Sequence, residues 1–189
     1  MSRWEPDAPG RLQLAAMELY LERGFEQTTV AEIAERAGLT ERTFFRHFSD
    51  KREVLFIGGE EFRALFVSAV VGAPDDAAPL IAVAAALQAA AASFEPRRPW
   101  SQKRQRVIDA NPALQERELI KLANVASAVA VALRDRGVVE PTASLAAQAG
   151  IAVFHVGFTE WIATDNDRSF AQILDDGLAA LAVVAGSTR

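Results

Sequence analysis

Apolar residues recur every three or four positions along most of the chain, and no stretch sustains a period-two alternation. The pattern predicts an all-helical protein. Pro9-Gly10 closes an N-terminal arm. Residues 11–23 form a helix with Leu12, Ala15, Ala16 and Leu19 on one face and Gly24 as its stop, so that Phe25 plugs a small core. Thr29 to Glu32 read as a capping box, in which the threonine oxygen takes the amide three residues on and the glutamate reaches back. Val30, Ile33, Ala34 and Ala37 then fall at i, i+3, i+4 and i+7, one apolar helix face. Gly38 stands where a helix end requires positive φ, and Thr40 offers a cap to a further short helix over residues 40–48. Ser49-Asp50 start a longer fourth helix reaching about residue 71. Gly58-Gly59 lie inside it, each costing on the order of 1 kcal/mol relative to Ala, as a close-packing point or as a hinge. After a break at residues 72–76, helices follow at about 78–94, 97–110, 113–136, 142–164 and 168–185. They are punctuated by Glu95-Pro96, Asn111-Pro112, residues 137–141 and residues 165–167.

The chemistry concentrates in residues 28–51, TTVAEIAERAGLTERTFFRHFSDK. In the third helix Phe44 and Phe48 share one side, leaving Thr43, Phe45, Arg46 and His47 on the rest of the surface. A helix, a glycine turn and a helix with an exposed polar and basic side make a helix-turn-helix. The run Ala37-Gly38-Leu39-Thr40, with Thr43 to Phe48 and Lys51, resembles the N-terminal signature of TetR-type transcriptional repressors over about the first 55 residues. Beyond them the likeness is one of helical layout, although residues 97–118 also resemble an actinobacterial subgroup that includes mycofactocin-type regulators.

The resemblance implies a DNA-binding domain over residues 1–55 and a helical ligand-binding and dimerisation domain over 56–189. Its partners would be double-stranded operator DNA of near-palindromic sequence, a second copy of the chain, and a small apolar or amphipathic effector, with acyl-coenzyme A as one option. Position for position, Glu41, Arg42, Thr43 and Phe45 would meet the major groove or its rim, with Thr40 and Arg46 beside them. His47 and Lys51 would meet phosphates, and Thr28 or Thr29 would offer a hydroxyl and helix N-terminal amides to another. Arg takes guanine O6 and N7 bidentately; Glu41 either accepts from cytosine N4 or repels the backbone. The family usually has Tyr where this chain has Phe45, so a phosphate hydrogen bond there gives way to apolar contact.

Charge modifies this picture. The net formal charge is −5, and residues 1–55 carry eight Lys or Arg against ten Asp or Glu. The basic signal is local: Arg42, Arg46, Lys51 and Arg52 lie near one acid, Asp50. Screening over roughly 8–10 Å makes that patch matter more to a phosphate than distant carboxylates do. There is no Cys, which excludes disulfides and thiolate sites and suits a cytoplasmic setting. The N-terminus has no apolar signal segment, and the alanine-rich run at 77–94 reads as a buried helix, too short and weakly apolar to span a bilayer.

In the C-terminal half, Phe62, Phe66, Phe94, Trp100, Phe154, Phe158 and Trp161 suit either a helical core or an effector cavity, with Gln88, Asn124, His155 and Glu160 as polar candidates. Arg97, Arg98, Lys103, Arg104 and Arg106 form a basic run, a solvated face or a seat for an anionic ligand group. Ala146, Ala149, Gly150, Val153 and Gly157 make a small-residue stripe. Phe170, Ile173, Leu174, Gly177, Leu181 and Val184 make an apolar face, and together these predict a dimer of paired helices. No nucleophile elbow, phosphate loop, dinucleotide fingerprint or zinc motif occurs, and the two histidines are far apart, so no enzyme, metal or cofactor is expected. A helical ligand-binding or scaffold protein without sequence-specific DNA binding is the rival reading.

Overall fold

The computed structural model describes residues 8–186, and among them every regular element is helical. α1 (Ala8–Arg23) starts earlier than the pattern predicts, taking in Pro9 and Gly10, because a proline in the first turn forfeits no helical hydrogen bond. The rest of the expected arm lies outside the described residues.

The contacts divide the chain into two units: residues to Gly58 together with Lys103–Glu118, and Gly59–Gln102 together with residues from Leu119. In the first unit α1 packs on α2 (Val30–Arg36), on α3 (Glu41–His47) and on a short 3-10 turn, Glu53–Phe56. Leu12, Leu19, Ile33, Phe44, Val54 and Leu55 form its buried centre.

The expected fourth helix over 50–71 is corrected. Asp50 Oδ1 accepts from the amides of Arg52 (2.7 Å) and Glu53 (3.3 Å), which winds the 3-10 turn. Val54, Leu55 and Phe56 are then all buried, and three consecutive buried residues do not fit the single inward stripe of a surface α-helix. Gly58 follows at φ +84°, and α4 (Gly59–Val71) begins after it. The glycine pair is therefore a helix boundary rather than a helix interior.

In the second unit α4 packs on α5 (Pro79–Phe94), α8 (Thr142–Trp161) on α9 (Phe170–Gly186), and α5 on both α8 and α9. α6 (Arg98–Asp109) and α7 (Pro112–Asp135) each begin or end in one unit and continue in the other. The small-residue stripe on α8 serves this packing. A Cβ on Gly150 would lie 2.2 Å from Val83 Cγ1, and one on Gly157 2.9 Å from Leu174 Cδ2. Val153, Phe170, Ile173 and Leu174 are buried in the same core, so most of both faces assigned to a dimer are used within the subunit. Two helical runs, Pro79–Asp109 and Thr142–Trp161, do reach the length and apolarity of a membrane span, contrary to the sequence expectation for the first. The burial of Ala82, Val83, Ala86, Leu87 and Ala90 in this core accounts for the apolarity of α5.

The two glycines are expected to respond oppositely. Gly58→Ala should lose about 1 kcal/mol or more, because an L side chain is disfavoured at positive φ. Gly59→Ala should be neutral or slightly stabilising, since its Cβ meets nothing within 4 Å. Chemical denaturation of the single variants checks this; equal losses would contradict the boundary.

Candidate nucleic-acid interface and aromatic cluster

The turn between α2 and α3 is built from local hydrogen bonds. Glu32 N donates to Thr29 Oγ1 (3.2 Å) and Thr29 N to Glu32 Oε2 (2.9 Å), completing the capping box. The Thr29 amide, with its hydroxyl and Arg23, holds the Glu32 carboxyl below the usual carboxylate range. α2 ends in a Schellman arrangement, Leu39 N to Ala34 O (2.8 Å) and Gly38 N to Glu35 O (2.9 Å), with Gly38 at φ +66°. Arg11 from α1 donates to Ala37 O, and a Cβ on Gly38 would come 2.8 Å from its guanidinium. Thr40 caps α3 by accepting from Thr43 N (3.2 Å).

That geometry fixes which side of α3 faces out. Phe44 is fully buried and Phe48 nearly so, while Phe45 is 55% exposed. Thr29, Thr40, Glu41, Arg42, Arg46 and His47 are also exposed, and Thr43 is half-buried. Arg46 Nη2 lies 3.3 Å from His47 Nε2.

Two expected phosphate contacts are corrected. Thr28 is 1% exposed and its hydroxyl donates to Gly24 O (2.9 Å), so it closes the α1–α2 turn. The Lys51 ammonium donates to Phe25 O (2.9 Å), Thr28 O (3.0 Å) and Glu26 O (3.3 Å), and sits 4.4 Å from the Phe25 ring centroid. Its own carbonyl accepts from the Tyr20 hydroxyl at 2.7 Å. Burial, and then the Asp50 charge, push the Tyr20 phenol well above the ordinary tyrosine value. Arg52 pairs with Asp50 (2.6 Å), whose carboxyl it holds low. Of the four basic residues between 42 and 52, Arg42 and Arg46 alone face outward with no carboxylate engaging them among the described residues. Sequence reasoning missed the lysine's role because its acceptors are backbone carbonyls, which every residue has.

In the second unit, Phe62, Phe66, Phe154, Phe158 and Trp161 come together with Phe94 and Phe170. Ring centroids are 4.9 Å apart for Phe62–Phe66 and 4.8 Å for the stacked Trp161–Phe170. Trp100 is half-buried. Asn124 and His155 are exposed on α7 and α8, away from the buried rings. Gln88 ties α5 to α9, donating to Asp175 Oδ1 (2.6 Å) and Ala171 O (3.4 Å). The basic run on α6 is also partly structural. Arg98 donates to Ala163 O (2.8 Å) and Asn166 O (2.6 Å) in the second unit. In the first unit Arg104 reaches Leu55 O (2.9 Å) and Glu118 (2.8 Å), with its guanidinium 4.9 Å from the Phe56 ring centroid. Arg97, Lys103 and Arg106 remain exposed.

The sequence profile of bacterial regulatory proteins of the tetR family matches residues 14–56, and that of the MftR C-terminal domain matches residues 70–185, more than half of the chain. The chain belongs to the TetR family. Its relatives within and around the family are regulators rather than enzymes. It is 40% identical over 74 residues to the HTH-type transcriptional regulator TcmR of Streptomyces glaucescens, covering 39% of this chain and 33% of TcmR. The match thus spans a third of that relative's length. Among solved structures, a putative TetR-family regulator from Syntrophomonas wolfei superposes with a TM-score of 0.68 at 14% identity, covering 96% of this chain and 97% of the other. The TetR-family repressor FadR of Thermus thermophilus, solved with lauroyl-CoA, gives a TM-score of 0.57 at 20% identity, covering 96% and 95%. These likenesses show the TetR fold over nearly the whole chain.

The Lys51 contacts predict a stability effect. Lys51→Met keeps the aliphatic stem but strands three carbonyls, and should lower stability by about 1–3 kcal/mol in denaturant titration. The Tyr20 phenol predicts a pH effect. With its folded pKa raised, its contribution is complete below the unfolded value near 10 and is lost as pH rises past it. Tyr20→Phe should therefore show a shallower decline of melting temperature above pH 10 than the unaltered protein; parallel curves would contradict the assignment.

Proposed function

We propose that the protein is a dimeric transcriptional repressor that reads a near-palindromic operator with α3 and is released by a small apolar or amphipathic effector. The observation that carries this reading is the outward face of α3, where Arg42, Phe45, Arg46 and His47 are exposed while Phe44 and Phe48 anchor the helix from behind. Arg42 is the base reader, Phe45 packs on a thymine methyl or a sugar, and Arg46, His47 and the Thr29 helix start contact phosphates. Two copies of α3 about one helical turn apart would read the two half-sites.

The dimer surface supported by the exposed residues differs from the one the pattern suggests. Leu145, Ala149, Ala152 and Val156 follow one another at helical spacing along α8, with Leu145 65% and Val156 67% exposed. Val183 and Val184 are exposed apolar residues on α9. An apolar stripe of this kind favours an isologous interface with a second copy. The aromatic cluster of the second unit is the effector region. The lauroyl-CoA complex of FadR makes an acyl-coenzyme A one candidate, with exposed Arg97 of the same unit available to its phosphates. Effector binding shifts the population toward a state whose two recognition helices no longer match the operator, and affinity falls.

Gel shifts on the DNA upstream of its own reading frame, across a salt series, test the reading. Sequence-competed binding that weakens as salt rises is expected; no binding even at low salt would favour a ligand-binding or scaffold role without DNA. Arg42→Ala should lose about 1–3 kcal/mol for the operator while leaving non-specific binding almost unchanged. Val156→Glu should yield a folded monomer in sedimentation, with operator binding lost alongside the dimer.

A further inference from the structure

Trp161, on the last turn of α8, is fully buried, and its indole Nε1–H has no hydrogen-bond partner among the described residues. Its surroundings are hydrocarbon. Phe170 stacks on it at 4.8 Å, Phe158 lies at 5.8 Å and Phe94 meets it edge-on at 6.4 Å. The acceptors nearest in sequence already have donors. Trp161 O accepts from Asn166 Nδ2 (3.1 Å), Ile162 O from Gln102 Nε2 (2.9 Å) and Ala163 O from Arg98 Nη2 (2.8 Å). This end of α8 holds a surplus of donors, for Arg98 Nε is a second buried N–H without a partner among the described residues.

A buried N–H left unsatisfied costs on the order of 1–3 kcal/mol. A phenyl ring would fill an apolar site of this kind without that penalty, as Phe154, Phe158 and Phe170 do around it. The indole is therefore unfavourable for packing alone and favourable once an acceptor is supplied from outside the chain.

We propose that the aromatic cluster binds the hydrocarbon body and neutral carbonyl group of its ligand, and that Trp161 Nε1 donates its hydrogen bond to that carbonyl oxygen. This rests on the reading of the second unit as the effector-responsive part. The ligand class follows from the site. Seven rings solvate a hydrocarbon body well, while a carboxylate among them would lose its hydration, and among the described residues no cation stacks on any of the seven. A neutral carbonyl, as in a ketone, ester or thioester, needs one donor, and one is present. The rings are in mutual contact, so the ligand enters by displacing side chains, the stacked Phe170 foremost.

Two probes of equal chain length, 2-undecanone and undecane, separate the hydrogen bond from apolar burial in the full-length dimer. With indole-15N tryptophan, the Trp161 Nε1–H resonance should move downfield on adding the ketone and hold its position with the alkane. By competition against a bound fluorescent apolar dye, the ketone should bind roughly threefold to tenfold more tightly than the alkane. Trp161→Phe should erase that margin and leave alkane affinity unchanged. Equal ketone and alkane affinity in the unaltered protein, or an unmoved indole resonance with the ketone bound, overturns the proposal. If the alkane still binds and releases operator in that case, the effector reading survives while the donor assignment fails. If neither probe binds, the cluster is not the site, and operator release by any other apolar compound shows whether the effector reading stands. The resonance test decides the matter even should Trp161→Phe fail to fold.

Discussion

The ammonium of Lys51, held by the carbonyls of Phe25, Glu26 and Thr28, is the contact on which the first unit depends. Those carbonyls belong to the loop between α1 and α2, and a loop that turns so tightly presents acceptors that no helix can satisfy. One side chain from beyond α3 supplies all three donors and stacks on Phe25, while Tyr20 returns a hydrogen bond from α1 to the lysine's own carbonyl. The first helix, the loop and the segment after the third helix are thereby tied together. The exposed face of α3 is precise because what lies behind it has little freedom.

Arginines do comparable work elsewhere. Arg11 ties α1 to the α2–α3 turn, Arg104 ties α6 to Leu55 and Glu118, Arg117 pairs with Glu53, and Arg136 reaches Val71 and Ala73. In each case a planar fork of donors engages backbone carbonyls or a carboxylate. The protein is acidic overall, and several of its cations are committed to carbonyls and carboxylates of its own chain, which leaves fewer free on the surface.

Much of this was legible from the pattern of residues. The capping box at Thr29, the stop at Gly38, the cap at Thr40 and the inward pair Phe44 and Phe48 are local rules written in neighbouring residues, and the structure follows them. The break at Gly58 was not, because burial of Val54, Leu55 and Phe56 together is a tertiary fact that overrides helical propensity. The α8 stripe misled for a related reason: small residues announce a close approach but not whose helix approaches, and here Val83 and Leu174 of the same chain fill the notches. Lys51 and Thr28 misled because a polar side chain in the sequence carries no label separating a phosphate contact from a carbonyl contact. Phe66, Phe154, Phe158 and Trp161 lie in the helical core, one of the two places open to them from the sequence, while the half-burial of Trp100 and the exposure of Asn124 and His155 depended on helix rotation that the sequence period alone leaves open.

Gly58 bears on how motion could pass along the chain. An unbroken helix through residues 50–71 would be a stiff lever, carrying both bend and twist. A single left-handed residue followed by a fresh helix start behaves as a swivel, which transmits tension along the chain but little torque. α6 and α7 carry no such break, and in the first unit Arg104 reaches Leu55 O while Arg117 pairs with Glu53.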